Sequence, residues 1–153
     1  MENEKLSVEQ LVEEYKDDVH RLVPYIPWLE SKVGQKVSGT YTEDGIEKCS
    51  IGVPTYDSTL LNFIKTVKTT KLISRNYAYA YARYRMKNST DELRYIKQAK
   101  ITELSLLNGI LSKYVLRGMT KSTEWTTGVT EGIFLQVILK YKELIEYYEG
   151  RLL

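Results

Sequence analysis

Apolar residues recur with a helical period along most of the chain, and the pattern is clearest in the C-terminal part. In the region that begins at Ser89, the apolar positions lie close to the 3.6-residue spacing of one helical face. They are Leu93, Ile96, Leu104, Leu107, Leu111 and Tyr114. A second set follows at steps of four: Trp125, Val129, Ile133, Val137 and Tyr141. The spacing predicts two long helices joined by a turn, a helical hairpin that spans residues 89–148.

Start and stop signals bound the first arm of this hairpin. Ser89-Thr90-Asp91-Glu92 has the form of a capping box, in which the serine oxygen accepts from a backbone N–H and Glu92 reaches back. Gly118 predicts the end of the arm, because glycine adopts the left-handed geometry that ends many helices. We therefore expect Glu92 to take part in the cap of this arm.

Three glycines, Gly109, Gly128 and Gly132, fall inside the helical pattern of the two arms. Each glycine lowers the stability of a helix by about 1 kcal/mol relative to alanine. They favour a close approach of the two backbones. The alternative is that they leave space for a ligand between the arms.

The first half of the chain also predicts helices, with one gap. Ser7-Val8-Glu9-Gln10 predicts the start of a helix that ends before Pro24, and a short helix around Trp28 follows. Asp57 predicts the cap of the next helix, whose apolar residues are expected to be buried: Leu60, Leu61, Phe63, Ile64 and Val67. Between them, Asp44-Gly45 and the neighbouring glycines predict a loop or a small β-hairpin near residues 36–53.

The segment from Arg75 to Arg85 is ambiguous. Its strict alternation as far as Tyr81 is typical of a strand. Alanine, arginine and the spacing of its tyrosines favour a helix instead. Because no partner strand of similar length is evident, we favour the helix.

These elements together predict a mostly α fold. At 153 residues the chain fits one domain. We expect residues 1–153 to form a single compact helical domain of five or six helices around the long C-terminal hairpin.

Composition limits the cellular setting and the function classes. The longest nearly unbroken apolar run, Ile133 to Leu139, is much shorter than the ~20 residues that span a bilayer. The acidic N-terminus lacks the apolar core of a signal peptide. Cys49 is the only cysteine, which excludes an internal disulfide and a cysteine-rich zinc site. We expect a cytoplasmic protein that does not enter the membrane.

No residue set predicts catalysis, a metal or a cofactor. His20 is the only histidine, and nothing in the sequence pairs it with Cys49 or a serine in the way that nucleophilic catalysis requires. A pair of carboxylates acting as acid and base remains open, but no pair is singled out. The sequence therefore favours a protein that is not an enzyme.

Tyrosine and charge are the two unusual features. The chain has 13 tyrosines and only 2 phenylalanines, which favours either an interface or a thin core whose rings reach solvent. Residues 58–90 contain seven basic residues and no acidic one, whereas residues 1–32 contain eight acids and four bases. Either the basic segment packs near the acidic first helix, or it binds a partner.

The candidate binding residues come from this basic, tyrosine-rich segment. They are Lys65, Lys68, Lys71, Arg75, Tyr77, Tyr79, Tyr81, Arg83, Tyr84 and Arg85. The first hypothesis is a non-enzymatic protein-interaction module with a protein partner or a second copy of the chain. The alternative is nucleic-acid or nucleotide binding, because cations neutralise phosphates and aromatic rings stack on bases.

Several short motifs resemble a family of small uncharacterised bacterial proteins, a domain of unknown function. The motifs are Pro24-Tyr25-Ile26-Pro27-Trp28-Leu29-Glu30, Tyr56-Asp57-Ser58-Thr59-Leu60-Leu61, Gly118-Met119-Thr120-Lys121 with Trp125, Gly132-Ile133-Phe134-Leu135 and Lys142-Glu143-Leu144. The resemblance covers most of the chain and is strongest in its last third. It implies a bacterial, mostly helical, cytoplasmic protein and supplies no catalytic residue.

Overall fold

A computed structural model describes residues 8–34, 38–40, 42–43, 46–47, 54–56, 58–121 and 123–152. The α-helices in these ranges are α1 (Val8–Leu22), α2 (Ile26–Lys32), α3 (Ser58–Lys68), α4 (Tyr77–Tyr84), α5 (Ser89–Gln98), α6 (Leu104–Arg117), α7 (Thr123–Thr130) and α8 (Ile133–Leu152). The prediction of a mostly α fold is confirmed, and α4 is a helix, as favoured above. The predicted caps Ser7 and Asp57, and Cys49, lie outside the described residues.

Short antiparallel ladders connect α2 to α3. Strand β1 (Ser38–Thr40) pairs with β4 (Pro54–Tyr56), so that Ser38 lies opposite Tyr56. Strand β2 (Thr42–Glu43) pairs with β3 (Ile46–Glu47). Each sheet has two strands of two or three residues. Two-stranded ladders of this length contribute little stability of their own, so the helices hold the domain together.

Helix α8 forms the centre of the core. Its inward residues are fully buried: Ile133, Phe134, Val137, Ile138, Tyr141 and Ile145. The Phe134 ring packs edge-on against Phe63 of α3, 5.1 Å between centroids, and against Tyr114 of α6 at 6.1 Å. Helices α1, α2, α5, α6 and α7 all pack against α8. Helix α8 is therefore a shared packing partner of these five helices, whereas α4 packs on α6.

Each predicted arm of the C-terminal hairpin is divided into two helices, which corrects the prediction of two long ones. In the first arm, Ala99 is extended (ψ 142°) and a 3-10 turn, Ile101–Glu103, precedes α6. The Glu103 carboxylate accepts a hydrogen bond from the Lys100 N–H at 2.9 Å. In the second arm, Gly132 takes a left-handed φ of +79° between α7 and α8. Both breaks leave the apolar face directed at the core, so the periodicity does not reveal them.

The cap of α5 lies one residue earlier than predicted. Asn88, not Ser89, is the N-cap, and its Oδ1 accepts from the Asp91 N–H at 2.9 Å. In return, the Asp91 carboxylate accepts from the Lys87 N–H at 2.9 Å. Because Asp91 has this capping role, Glu92 is not needed at the surface. Its side chain is buried.

The glycines provide space for side chains rather than a contact between the arms. Gly118 follows the last residue of α6, as predicted, but its φ of −67° is right-handed. A Cβ there would lie 2.1 Å from the Trp125 ring, and the Trp125 Nε1 donates to the Val115 carbonyl at 3.0 Å. Gly109 faces Ala80 of α4 and not the second arm. The expected approach of the two arms through these glycines is therefore wrong.

We predict that Gly109→Ala destabilises the protein by about 1–3 kcal/mol. An added Cβ would lie 2.7 Å from the Ala80 Cβ, so helix α4 would have to move. Urea denaturation followed by circular dichroism measures the effect. Gly150→Ala is the matched control, since a Cβ at Gly150 meets no atom within 4 Å. Equal stability of the two variants would contradict the close packing of α4 on α6.

Candidate binding surfaces

A buried carboxylate joins helices α4, α5 and α6. Glu92 of α5 is 0% exposed. Its Oε1 accepts from the Tyr114 hydroxyl at 2.6 Å, and its Oε2 accepts from the Tyr81 hydroxyl. The Lys113 Nζ donates to the same Oε2 at 3.2 Å. Since an unpaired buried charge is very costly, these three donors are what allow Glu92 to lie inside the core.

The electrostatics of this cluster keep both tyrosines protonated. Burial raises the pKa of Tyr81 and Tyr114 well above the usual tyrosine value, and the Glu92 charge and hydrogen bonds raise it further. The Lys113 ammonium lies over both rings, 5.0 Å from the Tyr81 centroid and 4.6 Å from that of Tyr114. Glu92 lines none of the cavities described below. The cluster is a structural network.

Internal hydrogen bonds account for several of the tyrosines. Tyr81, a predicted binding residue, is directed into the Glu92 cluster. The Tyr141 hydroxyl donates to the buried Asn108 Oδ1 at 2.5 Å, and the Tyr25 hydroxyl lies 3.1 Å from the Thr66 Oγ1. These rings support the interpretation of a core that uses tyrosine, each with a polar partner for its hydroxyl.

The basic segment forms an ion pair with the acidic first helix through Lys71. Asp18 of α1 is buried, and its Oδ2 accepts from the Lys71 backbone N–H at 3.0 Å. The Lys71 Nζ lies 3.5 Å from the same oxygen, and the Arg21 Nη1 lies 3.8 Å from Oδ1. Lys71 therefore pairs with an acid of the fold, although its side chain is 57% exposed.

The structure separates the remaining predicted binding residues into two groups. Lys65 and Lys68 lie on the exposed side of α3. The others lie on α4 or beside it, where Arg85 is the left-handed C-cap at φ 57°. Tyr79 is the most accessible of the four tyrosines in this segment, at 59% exposure. The ten predicted residues do not form one surface.

An apolar groove lies between α3 and the connection from α6 to α7. Its volume is about 390 Å³. The lining residues are Leu61, Ile64, Lys65, Lys68, Thr69, Met119 and Trp125. Leu61 is 45% exposed and Met119 is 49% exposed, although the sequence predicted that Leu61 is buried. The sequence pattern places Trp125 on a helix face and gives no signal that the exposed Met119 shares a groove with it.

A second cavity of about 310 Å³ lies where the break between α5 and α6 meets the end of α8. Leu144, Tyr147 and Tyr148 form its α8 side, opposite Ala99 and Ile101. Nearby, the His20 Nε2 of α1 lies 3.2 Å from the Glu149 carboxylate. His20 therefore has a carboxylate partner at the surface.

Comparison with known proteins gives no match to a protein-family model, a curated protein or a solved structure. The resemblance to uncharacterised bacterial proteins stays a prediction. Across the described residues, no helix combines the length and the apolar character needed to cross a bilayer.

We predict that Glu92→Ala lowers the free energy of unfolding by about 3–5 kcal/mol, the cost of breaking a buried ion pair. Lys113 and two buried hydroxyls would lose their acceptor. Asp17→Ala, which removes an exposed acid from α1, is the matched control and should change stability by less than about 0.5 kcal/mol. Chemical denaturation compares them. Similar losses in both variants would show that the Glu92 cluster does not hold the helices together.

We further predict that stability falls in alkaline solution. Because burial raises the pKa of Tyr81 above 10.0 in the folded state, its stabilising contribution is complete below about pH 10 and is lost as the pH rises further. The slope per tyrosine reaches about 1.4 kcal/mol per pH unit. Tyr81→Phe should flatten the dependence measured by urea unfolding between about pH 9 and pH 11. Tyr79→Phe, which changes an exposed ring, should leave the pH dependence of stability unchanged. An equal flattening in that variant would refute the attribution of the dependence to Tyr81.

Proposed function

We propose that this chain is a non-enzymatic protein-interaction module of the bacterial cytoplasm and that the groove between α3 and the α6–α7 connection is its binding site. The observation that carries the proposal is the exposure of Leu61 and Met119 beside Trp125. Soluble proteins rarely expose several large apolar side chains together unless a partner covers them. The bacterial cytoplasmic setting is part of the proposal and is what the resemblance to small bacterial proteins implies.

The side-chain types in the groove suit recognition of apolar groups. Methionine is flexible and polarizable, so Met119 adapts to different partner side chains. Tryptophan is enriched among the residues that dominate binding energy at interfaces. Trp125 is held by its hydrogen bond to the Val115 carbonyl, and Ile64 below it is buried. The groove thus combines two side chains that are held in place, Ile64 and Trp125, with the flexible Met119.

The rim of the groove is positively charged. Lys65 and Lys68 both line it and are both exposed. In the part of the chain that the structure describes, neither has a carboxylate within 4.0 Å. The Lys68 Nζ makes a 3.5 Å contact with the Met119 Sδ, which places its charge directly beside the apolar edge. A partner with acidic side chains next to its apolar ones matches this arrangement.

An amphipathic helix of the partner fits the groove best. Such a helix presents apolar anchors at positions i, i+3, i+4 and i+7, which is the usual mode of recognition in a hydrophobic groove. Acidic residues flanking that stripe would face Lys65 and Lys68. We therefore propose an acidic amphipathic helix as the occupant of the groove.

Fluorescence of Trp125 tests the proposal directly. The chain has 2 tryptophans, so Trp28→Phe leaves Trp125 as the only one. Titration with a synthetic helical peptide, leucines on one face and glutamates beside them, should give a saturable change in emission. Leu61→Asp should weaken binding by at least about tenfold, since it removes an apolar anchor and repels the glutamates.

Matched controls separate the groove from the rest of the surface. Val33→Asp introduces the same change at an exposed apolar residue outside the groove and should leave binding intact. The double variant Lys65→Glu and Lys68→Glu should prefer a peptide whose glutamates are replaced by lysines. Failure of the glutamate peptide to bind the unmodified groove would contradict the proposal. A dimer in sedimentation that Leu61→Asp abolishes would replace the helical partner with a second copy of the chain.

A further inference from the structure

A strongly basic surface lies around α4 and α5, two helices that do not line the groove. Its exposed cations are Arg75, Arg83, Arg85, Lys87, Arg94, Lys97 and Lys100. The only acids in residues 75–100 are Asp91 and Glu92. Glu92 is buried against Lys113, and Asp91 accepts from the Lys87 N–H. This surface therefore carries an excess of positive charge.

The cations of this surface are largely unneutralised. Within the described ranges, only Arg94 has a carboxylate partner among the seven, Asp91 at 3.4 Å. The acidic helix α1 packs on α8 and α3, whereas α4 packs on α6. Within the described ranges, Lys71 is the cation of the basic segment that pairs with an acid of α1. The cations of α4 and α5 have no such pair with α1 there.

Two tyrosine rings flanked by two guanidinium groups form a row across α4 and α5. The rings of Tyr84 and Tyr95 meet edge-on with centroids 5.6 Å apart. The Arg83 guanidinium lies 5.7 Å from the Tyr84 centroid, and that of Arg94 lies 5.2 Å from the Tyr95 centroid. Both rings are partly exposed. We call this row, together with the exposed Tyr79, the Arg–Tyr surface.

A small cavity of about 120 Å³ adjoins the row, between α4 and α6. Tyr79, Arg83 and Tyr84 contribute to its wall. Ser74, Asn76 and Ser105 supply hydroxyl and amide groups beside them. Hydrogen-bonding groups therefore lie within reach of any flat ring that stacks on these tyrosines.

The support for this surface is rigid. Helix α4 packs through Ala80 against Gly109 of α6, and Tyr81 is bound to the buried Glu92. These inward contacts determine which face of α4 is directed outward. Tyr79 and Arg83 are consequently positioned before any ligand arrives, which lowers the entropic cost of binding.

We propose that the Arg–Tyr surface binds single-stranded nucleic acid, independently of the groove. The arginines of this surface and the exposed lysines beside it neutralise successive phosphates. Unpaired bases stack on the partly exposed tyrosines. Duplex bases are stacked on one another and are not free to do this. An acidic protein would use the cations but has no need of the row of rings.

Fluorescence anisotropy with a labelled oligothymidylate of about twelve nucleotides tests the proposal. The affinity should fall with salt, with a slope of log K against log salt of about −0.7 for each phosphate contacted. Arg83→Ala and Arg94→Ala should each weaken binding and reduce the slope by about 0.7. Arg83→Lys keeps the charge, so it should restore the slope.

Tyrosine substitutions separate stacking from charge. Tyr79→Ala should weaken binding by about fivefold or more while the salt slope stays the same, since stacking is not ionic. Tyr79→Ala should not disturb the fold, because the Tyr79 side chain is 59% exposed. Tyr84→Leu should act in the same direction, with circular dichroism confirming its fold. Lys121→Ala, an exposed cation outside this surface, is the control and should change neither value.

Three outcomes would overturn the proposal. The first is the absence of oligonucleotide binding at about 50 mM salt, where phosphate contacts are strong. The second is displacement by polyglutamate at equal charge concentration together with indifference to Tyr79→Ala, which would assign the surface to an acidic protein. Tighter binding of a duplex of the same length would also refute a role for stacked, unpaired bases. Met119→Asp in the groove should leave oligonucleotide binding unchanged.

Discussion

The burial of one carboxylate determines how the middle of this molecule is arranged. Glu92 carries a charge that the core accepts only because Tyr81, Tyr114 and Lys113 surround it with donors. These donors come from helices on both sides of α5, so satisfying the charge also orients the helices. Since Tyr81 is directed inward, the opposite face of α4 is directed outward. The same interaction therefore organises the core and presents the Arg–Tyr surface.

The charges of the chain are divided between separate parts of the fold. Acidic residues cluster on α1, and exposed cations cluster around α4 and α5. The two regions touch where Asp18 accepts from Lys71. Although the net charge is only +2, acidic and basic side chains therefore lie in separate regions of the molecule. The apolar groove belongs to α3 and the α6–α7 connection, so the two proposed partners would not compete for one site.

The sequence predicts the helical class and much of the core, because burial on α8 imposes a regular apolar spacing. It does not predict the breaks at Ala99 and Gly132, where the apolar face continues through a change in backbone direction. It places Glu92 in a cap because a local motif contains no information about Tyr114, 22 residues away. It also treats Leu61 as buried, since periodicity cannot show that no helix covers that face.

The close contact between Gly118 and Trp125 constrains how this chain can diverge. The indole of Trp125 occupies the volume that a side chain at position 118 would need. Any residue larger than glycine there would displace the ring and disturb the turn between α6 and α7. A glycine followed seven positions later by tryptophan is therefore a signature that distant relatives with this reversal must keep. Searching genomes for that pair, within a mostly helical sequence, would identify kin that overall similarity does not reveal.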